Sequence, residues 1–249
     1  MLHRTLPVTL IASLLLGVLI GTAAAQGQAD QDAPARIGDA YPLDVCAVSG
    51  KSLGASPVVV VLSDMPKDEW NGREVRFCCG GCKATFESDP AAGNRKLDEM
   101  IVTDQLRVYP AGNCIVMEDE VMTDPQGPDA TKDKNVVIGN RLYRLCCKSC
   151  VRRMKRSPDE YRKVLDDRII KAQSTDYPLE VCVITGRAYG EKPFELVVAN
   201  RLVRTCCGGC AARVRNDPAT AIKKLEASRA PDKEDSGSKK TGLTRDTSS

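Results

Sequence analysis

The stretch RFCCGGC, residues 76–82, places three thiols within five positions. Two further stretches follow the same pattern, RLCCKSC at residues 144–150 and RTCCGGC at residues 204–210. A motif that recurs at regular spacing is typical of repeat architectures. The sequence therefore predicts a chain built from three tandem units.

Each unit opens with a Tyr-Pro pair and a lone cysteine. The lone cysteines recur at one constant interval, at Cys46, Cys114 and Cys182. The cysteine pair follows at the same distance along the chain in the first two units but sooner in the third, which thus has a shorter connecting loop. We place the three cysteine modules at residues 41–106, 107–174 and 175–228.

Turn signals predict the local structure of each unit. Strand-like runs surround the dipeptides Asn71-Gly72, Gly139-Asn140 and Ala199-Asn200 just before each cysteine pair, which indicates a β-hairpin. A short helix is predicted after the pair, and a second helix begins at Asp-Pro or Ser-Pro, with the first residue as N-cap. These second helices start at Asp89-Pro90, Ser157-Pro158 and Asp217-Pro218. The predicted fold class is α+β.

The two ends of the chain differ from the repeats. Residues 1–25 combine a short basic start, an apolar run and small residues at the end, which predicts a secretory signal peptide. We expect a periplasmic or secreted protein that does not stay in the membrane after cleavage. Residues 26–40 are predicted to be a flexible linker and residues 229–249 a disordered tail, because both are polar.

Composition excludes several function classes. The net charge is only +3 and the 28% of charged residues are of mixed sign, so nucleic-acid binding is not expected. The only histidine, His3, lies in the predicted signal peptide, which removes the commonest acid-base group and imidazole metal ligand from the mature chain. No nucleophile elbow or phosphate-binding loop is present, and we expect no enzyme activity.

Units of this size are marginally stable on apolar burial alone and commonly need a covalent or metal staple. One alternative is a disulfide framework, since an exported protein meets oxidising conditions and the cysteine count is even. In this version Cys46 pairs with one member of Cys78-Cys79 and Cys82 pairs with the other, or two thiols stay free. The protein would then be a structural or interaction module.

The second alternative is a set of thiolate metal sites. The two glycines between Cys79 and Cys82 allow backbone amides to turn toward bound sulfur, and Cys46 arrives from a separate segment to close the site. Thiolates without imidazole favour Cu(I) or Zn(II) over Mg²⁺ or Ca²⁺. The candidate metal ligands are Cys46, Cys78, Cys79, Cys82, Cys114, Cys146, Cys147, Cys150, Cys182, Cys206, Cys207 and Cys210.

Arginines precede each cysteine pair at matching offsets. They are Arg73 and Arg76, Arg141 and Arg144, and Arg201 and Arg204. Two interpretations are open: the guanidinium groups favour ionised thiols, or they are ordinary charged residues on an exposed strand.

The first unit resembles the YHS and TRASH family of small cysteine modules. The likeness rests on the run CAVSGKSL at residues 46–53, on a hairpin that ends in FCCGGC at residues 77–82, and on Phe86 with Asp89-Pro90. The resemblance implies a treble-clef-like unit that binds heavy metals, especially copper. It also implies three ligands per unit: Cys46, Cys78 and Cys82; Cys114, Cys146 and Cys150; Cys182, Cys206 and Cys210.

The second and third units depart from this pattern. The second has Met117-Glu118 in place of Ser49-Gly50, and Lys148-Ser149 in place of two glycines. The third has Thr205 and Val214 in place of the two phenylalanines. The second site is therefore the one that the resemblance supports least.

Three functions follow from these alternatives. The leading hypothesis is an exported heavy-metal-binding protein, a buffer, carrier or sensor whose partners are metal ions and a metal-handling or envelope protein. The second is a disulfide-stabilised structural or interaction protein. The third, a thiol-disulfide enzyme that uses Cys79 and Cys82, lacks the βαβ context typical of that motif.

Overall fold

A computed structural model describes residues 34–229. The predicted signal peptide, the first part of the predicted linker and residues 230–249 of the predicted tail lie outside this range. Within it, each of the three units has the same order of elements, two strands followed by two helices. No helix in this part of the chain is both long and apolar enough to cross a membrane.

The strands pair into three separate antiparallel hairpins, and each is followed by a short and a longer helix. The structure is therefore mixed helix and small antiparallel sheets, in agreement with the predicted α+β class. The elements are β1 Val58–Val61, β2 Glu74–Phe77, α1 Gly80–Ser88 and α2 Pro90–Leu106; β3 Lys134–Ile138, β4 Arg141–Leu145, α3 Lys148–Arg156 and α4 Pro158–Gln173; β5 Phe194–Val198, β6 Arg201–Thr205, α5 Gly208–Asn216 and α6 Pro218–Arg229.

The second and third hairpins turn where the sequence predicts. Gly139 and Asn140 have φ of 51° and 63°, and Ala199 and Asn200 have 47° and 60°. Positive φ at both central residues is the signature of a type I′ turn, whose twist matches that of paired strands. Local residue preferences thus determine these two turns.

The first hairpin differs from the prediction. Asn71-Gly72 is not a tight turn between two strands, since the residues before it form a 3-10 helix, Asp68–Trp70. The partner of β2 is β1, Val58–Val61, which lies further back in the chain. The pairing ends where the Gly72 N–H donates to the Leu62 carbonyl at 2.8 Å.

All three long helices begin at the predicted prolines. The Asp89 side chain accepts a hydrogen bond from the Ala92 N–H at 2.9 Å and caps α2. Ser157 precedes α4 without such a bond. Proline at the first helical position fits because its missing N–H would have no partner there.

A small apolar core lies between the hairpin and the helices of each unit. In the first unit, the rings of Phe77 and Phe86 meet edge to face with centroids 5.4 Å apart. Leu145 with Met154, and Thr205 with Val214, occupy the same positions in the other units, and all four are buried. The departures from the family pattern therefore replace one buried pair by another.

Helix α2 packs against the hairpin of the second unit, and α4 packs against that of the third. The Gln105 side chain hydrogen-bonds to the backbone of this hairpin as a neighbouring strand would. Its Nε2 donates to the Asn140 carbonyl at 2.9 Å and its Oε1 accepts from the Leu142 N–H at 2.8 Å. Gln173 repeats this pattern with the Asn200 carbonyl at 3.0 Å and the Leu202 N–H at 2.9 Å.

The first arginine of each of the three pairs is buried and forms ion pairs. One partner of each is a carboxylate on the long helix of the same unit: Asp98 for Arg73, Asp166 for Arg141 and Glu226 for Arg201. The three arginine side chains are 1–2% exposed. They are therefore neither exposed strand residues nor partners of the thiols; they tie each hairpin to its helix.

Residues 36–40, within the predicted flexible linker, are held against the repeats. The Ile37 N–H donates to the Gly72 carbonyl at 2.7 Å. The buried Asp39 carboxylate accepts from Arg141 at 2.9 Å and from the Ala199 N–H at 2.8 Å. One aspartate thus joins the turn of the third unit to a strand of the second, and the described residues form one compact unit.

Candidate metal centres

Three sulfur atoms converge in each unit. In every triad the Sγ atoms lie within 4.8 Å of one another. The triads are Cys46, Cys78 and Cys82; Cys114, Cys146 and Cys150; and Cys182, Cys206 and Cys210. The structure brings together nine of the twelve predicted ligands in this way, and the second cysteine of each pair is outside the triads.

The lone cysteine sits at the start of a tight loop. The Cys46 N–H donates to the Lys51 carbonyl at 2.7 Å, and the Gly50 N–H donates back to the Cys46 carbonyl at 3.0 Å. Gly50 and its equivalent Gly186 have φ of 69° and 68°, a conformation that glycine adopts without strain. The loop turns the chain so that the Cys46 side chain faces the cysteine pair.

The second unit forms its loop without this glycine. There the Cys114 N–H donates to the Glu120 carbonyl at 2.8 Å, so the loop is one residue longer than in the other two units. The Cys114 sulfur still reaches the other two sulfurs. The extra residue thus allows the loop to close although Met117-Glu118 stands where the first unit has Ser49-Gly50. This difference was one reason why the sequence supported the second site least.

The other two ligands come from the end of a strand and the first turn of a helix. Cys78 follows β2 directly, and Cys82 is the third residue of α1. Their sulfurs are 3.6 Å apart. The equivalent distances are 3.6 Å between Cys146 and Cys150 and 3.8 Å between Cys206 and Cys210.

The hydrogen bonds around the lone cysteine favour its thiolate. Burial alone would raise the pKa of Cys46, but hydrogen bonds from the Ser49 side chain and from backbone N–H groups outweigh burial and lower the pKa to about 6. The pKa of Cys182 also falls to about 6, with Thr185 in the role of Ser49. Burial also opposes ionisation of Cys114, but hydrogen bonds from the backbone N–H groups of Cys146, Val116 and Met117 outweigh it and lower the pKa.

The third cysteine of each triad is held as a thiol when no metal is bound. A hydrogen bond to Cys78, together with burial, raises the pKa of Cys82 to about 12. Burial is the first cause for Cys210, whose pKa rises to about 12, and for Cys150, whose pKa rises to about 11. One thiolate therefore shares its charge with neighbouring S–H groups, and a bound cation would take the place of their protons.

The sulfur distances fit a thiophilic cation. A zinc–sulfur bond of about 2.3 Å places two sulfurs of a tetrahedral site about 3.8 Å apart. The 3.6–3.8 Å between the two cysteines four residues apart is close to this value. All twelve cysteines lie in the described residues, and none is bonded to another. Soft sulfur donors with no imidazole or carboxylate among them suit Cu(I) or Zn(II).

Comparison with known proteins identifies no relative. No family model, curated protein or solved structure matches this chain. The case for a metal site therefore rests on the geometry of the triads and on their repetition.

The remaining cysteines, Cys79, Cys147 and Cys207, are the N-cap residues of the short helices. Each lies near one triad sulfur: 4.0 Å between Cys79 and Cys78, 3.5 Å between Cys147 and Cys150, and 3.9 Å between Cys207 and Cys206. Cys79 and Cys82, the C-x-x-C pair predicted to lie at the metal site, therefore do not both belong to the triad. The triad instead contains Cys78 and Cys82, which are four residues apart.

Sequence reasoning missed the hydroxyl groups at these centres. Ser49 Oγ lies 3.5 Å from the Cys78 sulfur, and Thr185 Oγ1 lies 3.7 Å from the Cys206 sulfur. Both hydroxyls stand at the same offset from the lone cysteine of their unit, three positions after it. That shared offset was the available signal, since a hydroxyl is the common property of serine and threonine.

Proposed function

We propose that this protein is an exported carrier or buffer for a thiophilic metal, Cu(I) or Zn(II), with one thiolate site in each of its three repeats. The observation that carries the proposal is the convergence of three sulfurs within 4.8 Å in every repeat. Chance placement of thiols would not reproduce this in units whose loops and core residues differ.

The donor set and its surroundings support metal binding. The lone cysteine is buried in all three units, and it is the ligand whose pKa is lowered. A preformed thiolate next to neutral thiols attracts a soft cation and needs little rearrangement to bind it. In the first and third units an exposed N-cap cysteine, Cys79 or Cys207, lies beside the triad, which suits a metal that is taken up and released.

The resemblance to YHS and TRASH modules supports the same function. The ligands that the resemblance implies are those of the observed triads, and the hairpin followed by a helix is compatible with a treble-clef-like unit. Export is part of the proposal because residues 1–25 read as a signal peptide. A metal-handling or envelope protein would then supply or receive the metal.

An anaerobic metal titration tests the proposal. The fully reduced mature chain is titrated with Zn(II), and separately with Cu(I), in competition with a chromophoric chelator. We expect three equivalents to bind, and two after Cys46→Ser, Cys114→Ser or Cys182→Ser alone. The two intact sites of each variant report that the protein has folded. Three equivalents in these variants, or none in the wild type, would contradict the proposal.

A further inference from the structure

The sulfurs of each unit are graded in exposure. In the first unit Cys46 is buried, Cys78 and Cys82 are partly exposed, and Cys79 is exposed. The third unit also has a buried lone cysteine, Cys182, and an exposed Cys207. Solvent therefore reaches one sulfur of each of these units without any movement of the chain.

The exposed cysteine is close to the triad without belonging to it. Its Sγ lies 4.0 Å from Cys78 in the first unit and 3.9 Å from Cys206 in the third. Its backbone is extended, with φ of −162° and −164° at Cys79 and Cys207. In both units, therefore, an exposed cysteine sulfur lies next to one of the three sulfurs of the triad.

We propose that Cys79 and Cys207 are exchange ligands, through which metal passes between an external thiolate donor or acceptor and the triad. This inference rests on the proposed metal-binding function. The exposed thiolate forms one metal–sulfur bond as the external thiolate leaves with its electron pair and takes a proton from solvent. A triad thiolate then displaces the exchange ligand in the same way. No electron is transferred in either step.

The second unit restrains the equivalent sulfur. Cys147 is only partly exposed, and its Sγ lies 2.9 Å from the Ser149 hydroxyl and 3.5 Å from Cys150. Ser149 stands where the other units have a glycine, Gly81 or Gly209. We therefore expect metal exchange at the second site to be slower than at the other two.

The test measures release of Zn(II) from the fully loaded mature protein to a thiol-containing chelator, by stopped-flow absorbance. The wild type should show two fast equivalents and one slow one. In the double variant Cys79→Ser, Cys207→Ser, three equivalents should still bind, but the fast phase should slow by about tenfold, the loss expected when one stabilising contact of the transition state is removed.

Two matched variants address the second site. Cys147→Ser should change the slow phase less than the double variant changes the fast phase, whereas Ser149→Gly should speed up the slow phase. A loss of two equivalents in the double variant would overturn the inference, since Cys79 and Cys207 would then be permanent fourth ligands. Unchanged release rates with full binding would also overturn it. If the wild type binds no metal when it is loaded, the proposed metal-binding function itself is wrong. This result is seen before any release is measured, so the two failures are distinguishable.

Discussion

At the scale of single residues, the side chain three positions after the lone cysteine sets the charge of each triad. Ser49 and Thr185 offer a hydroxyl to the sulfurs, whereas Met117 offers only its backbone N–H. The pKa reaches about 6 where the hydroxyl is present. Cys46 in the first unit and Cys182 in the third are therefore expected to be thiolates at neutral pH in the metal-free protein.

Replacing this hydroxyl should raise the pKa of the neighbouring thiol. A hydrogen bond to a charged group contributes about 1.5–3 kcal/mol, and a pKa change of one corresponds to about 1.36 kcal/mol, so we expect Ser49→Ala to raise the pKa of Cys46 by about 1–2. The difference in thiolate ultraviolet absorbance between variant and wild type, followed against pH in the reduced metal-free protein, measures the change. Ser52→Ala, at a nearby exposed serine, is the control. Identical titration curves for Ser49→Ala and wild type would refute this role of the hydroxyl.

Metal affinity should fall as the pH falls. Cys82 and Cys210, with pKa values of about 12, must give up protons to the solvent when metal binds, and protons therefore compete with metal throughout the neutral range. Below about pH 6 the competition should steepen as Cys46 and Cys182 also become protonated. We expect a loss of about tenfold in Zn(II) affinity per pH unit for each proton released, measured by chelator competition. An affinity independent of pH would show that thiolates are not the ligands.

At the scale of elements, the sequence predicts what nearby residues determine. The Asp-Pro and Ser-Pro pairs position the long helices, and Gly139-Asn140 and Ala199-Asn200 position two turns, because these dipeptides act through their own φ angles. The pairing of β1 with β2 was not foreseen, since a long connection separates them and no turn residue specifies it.

The site itself was predicted only in part. Spacing brings the four cysteines of a unit into one region, but it does not distinguish the three that converge from the one at the helix N-cap. That choice depends on the direction of each side chain where the strand meets the helix. The ion pairs of Arg73, Arg141 and Arg201 could not be predicted either. Their carboxylate partners lie on the long helix that follows, and Arg141 and Arg201 also bind Asp39 and Asp104, which lie outside their own units.

The contact between the two helices of the first unit leaves no room for a methyl group at Gly93. A Cβ there would lie 2.5 Å from the Phe86 ring. Overpacking costs about 1–3 kcal/mol, while alanine gains about 1 kcal/mol in helix propensity, so Gly93→Ala should lower the free energy of unfolding by about 1 kcal/mol. Denaturant unfolding of the metal-free protein measures this. Gly80→Ala, where a Cβ meets nothing within 4 Å, should not destabilise the protein; equal stability of the two variants would refute the packing argument.

At the scale of the whole molecule, the three repeats interlock through buried charges. Burial alone would lower the pKa of Arg141, but Asp39 and Asp166 outweigh burial and raise it. Arg76, two residues before the first cysteine pair, binds Asp217 of the third unit at 2.9 Å. The cysteine triads are therefore held by a shared framework, and none of the units is expected to be fully stable alone.

Asp39→Asn tests this framework. The amide oxygen can replace Asp39 Oδ2, which accepts from both Arg141 and the Ala199 N–H, but not Oδ1, which accepts from Arg141 Nη2 at 3.1 Å. The buried guanidinium also loses the Asp39 charge, although Asp166 remains as a partner. We expect the free energy of unfolding to fall by about 2–3 kcal/mol. Asp44→Asn, at an exposed aspartate 4.0 Å from Lys223, is the matched control and should change stability by less than about 0.5 kcal/mol. A stability unchanged by Asp39→Asn would mean that the segment at 36–40 does not join the repeats.

We expect the three cysteine triads to hold metal. Native mass spectrometry of the protein, produced in an oxidising compartment and purified without reductant or chelator, tests this expectation. We predict a mass above that of the reduced chain by up to three ions, whose mass identifies the element. A metal-free mass, lower than that of the reduced chain by two hydrogens for every bridge, would contradict this expectation and show that the cysteines are disulfide staples.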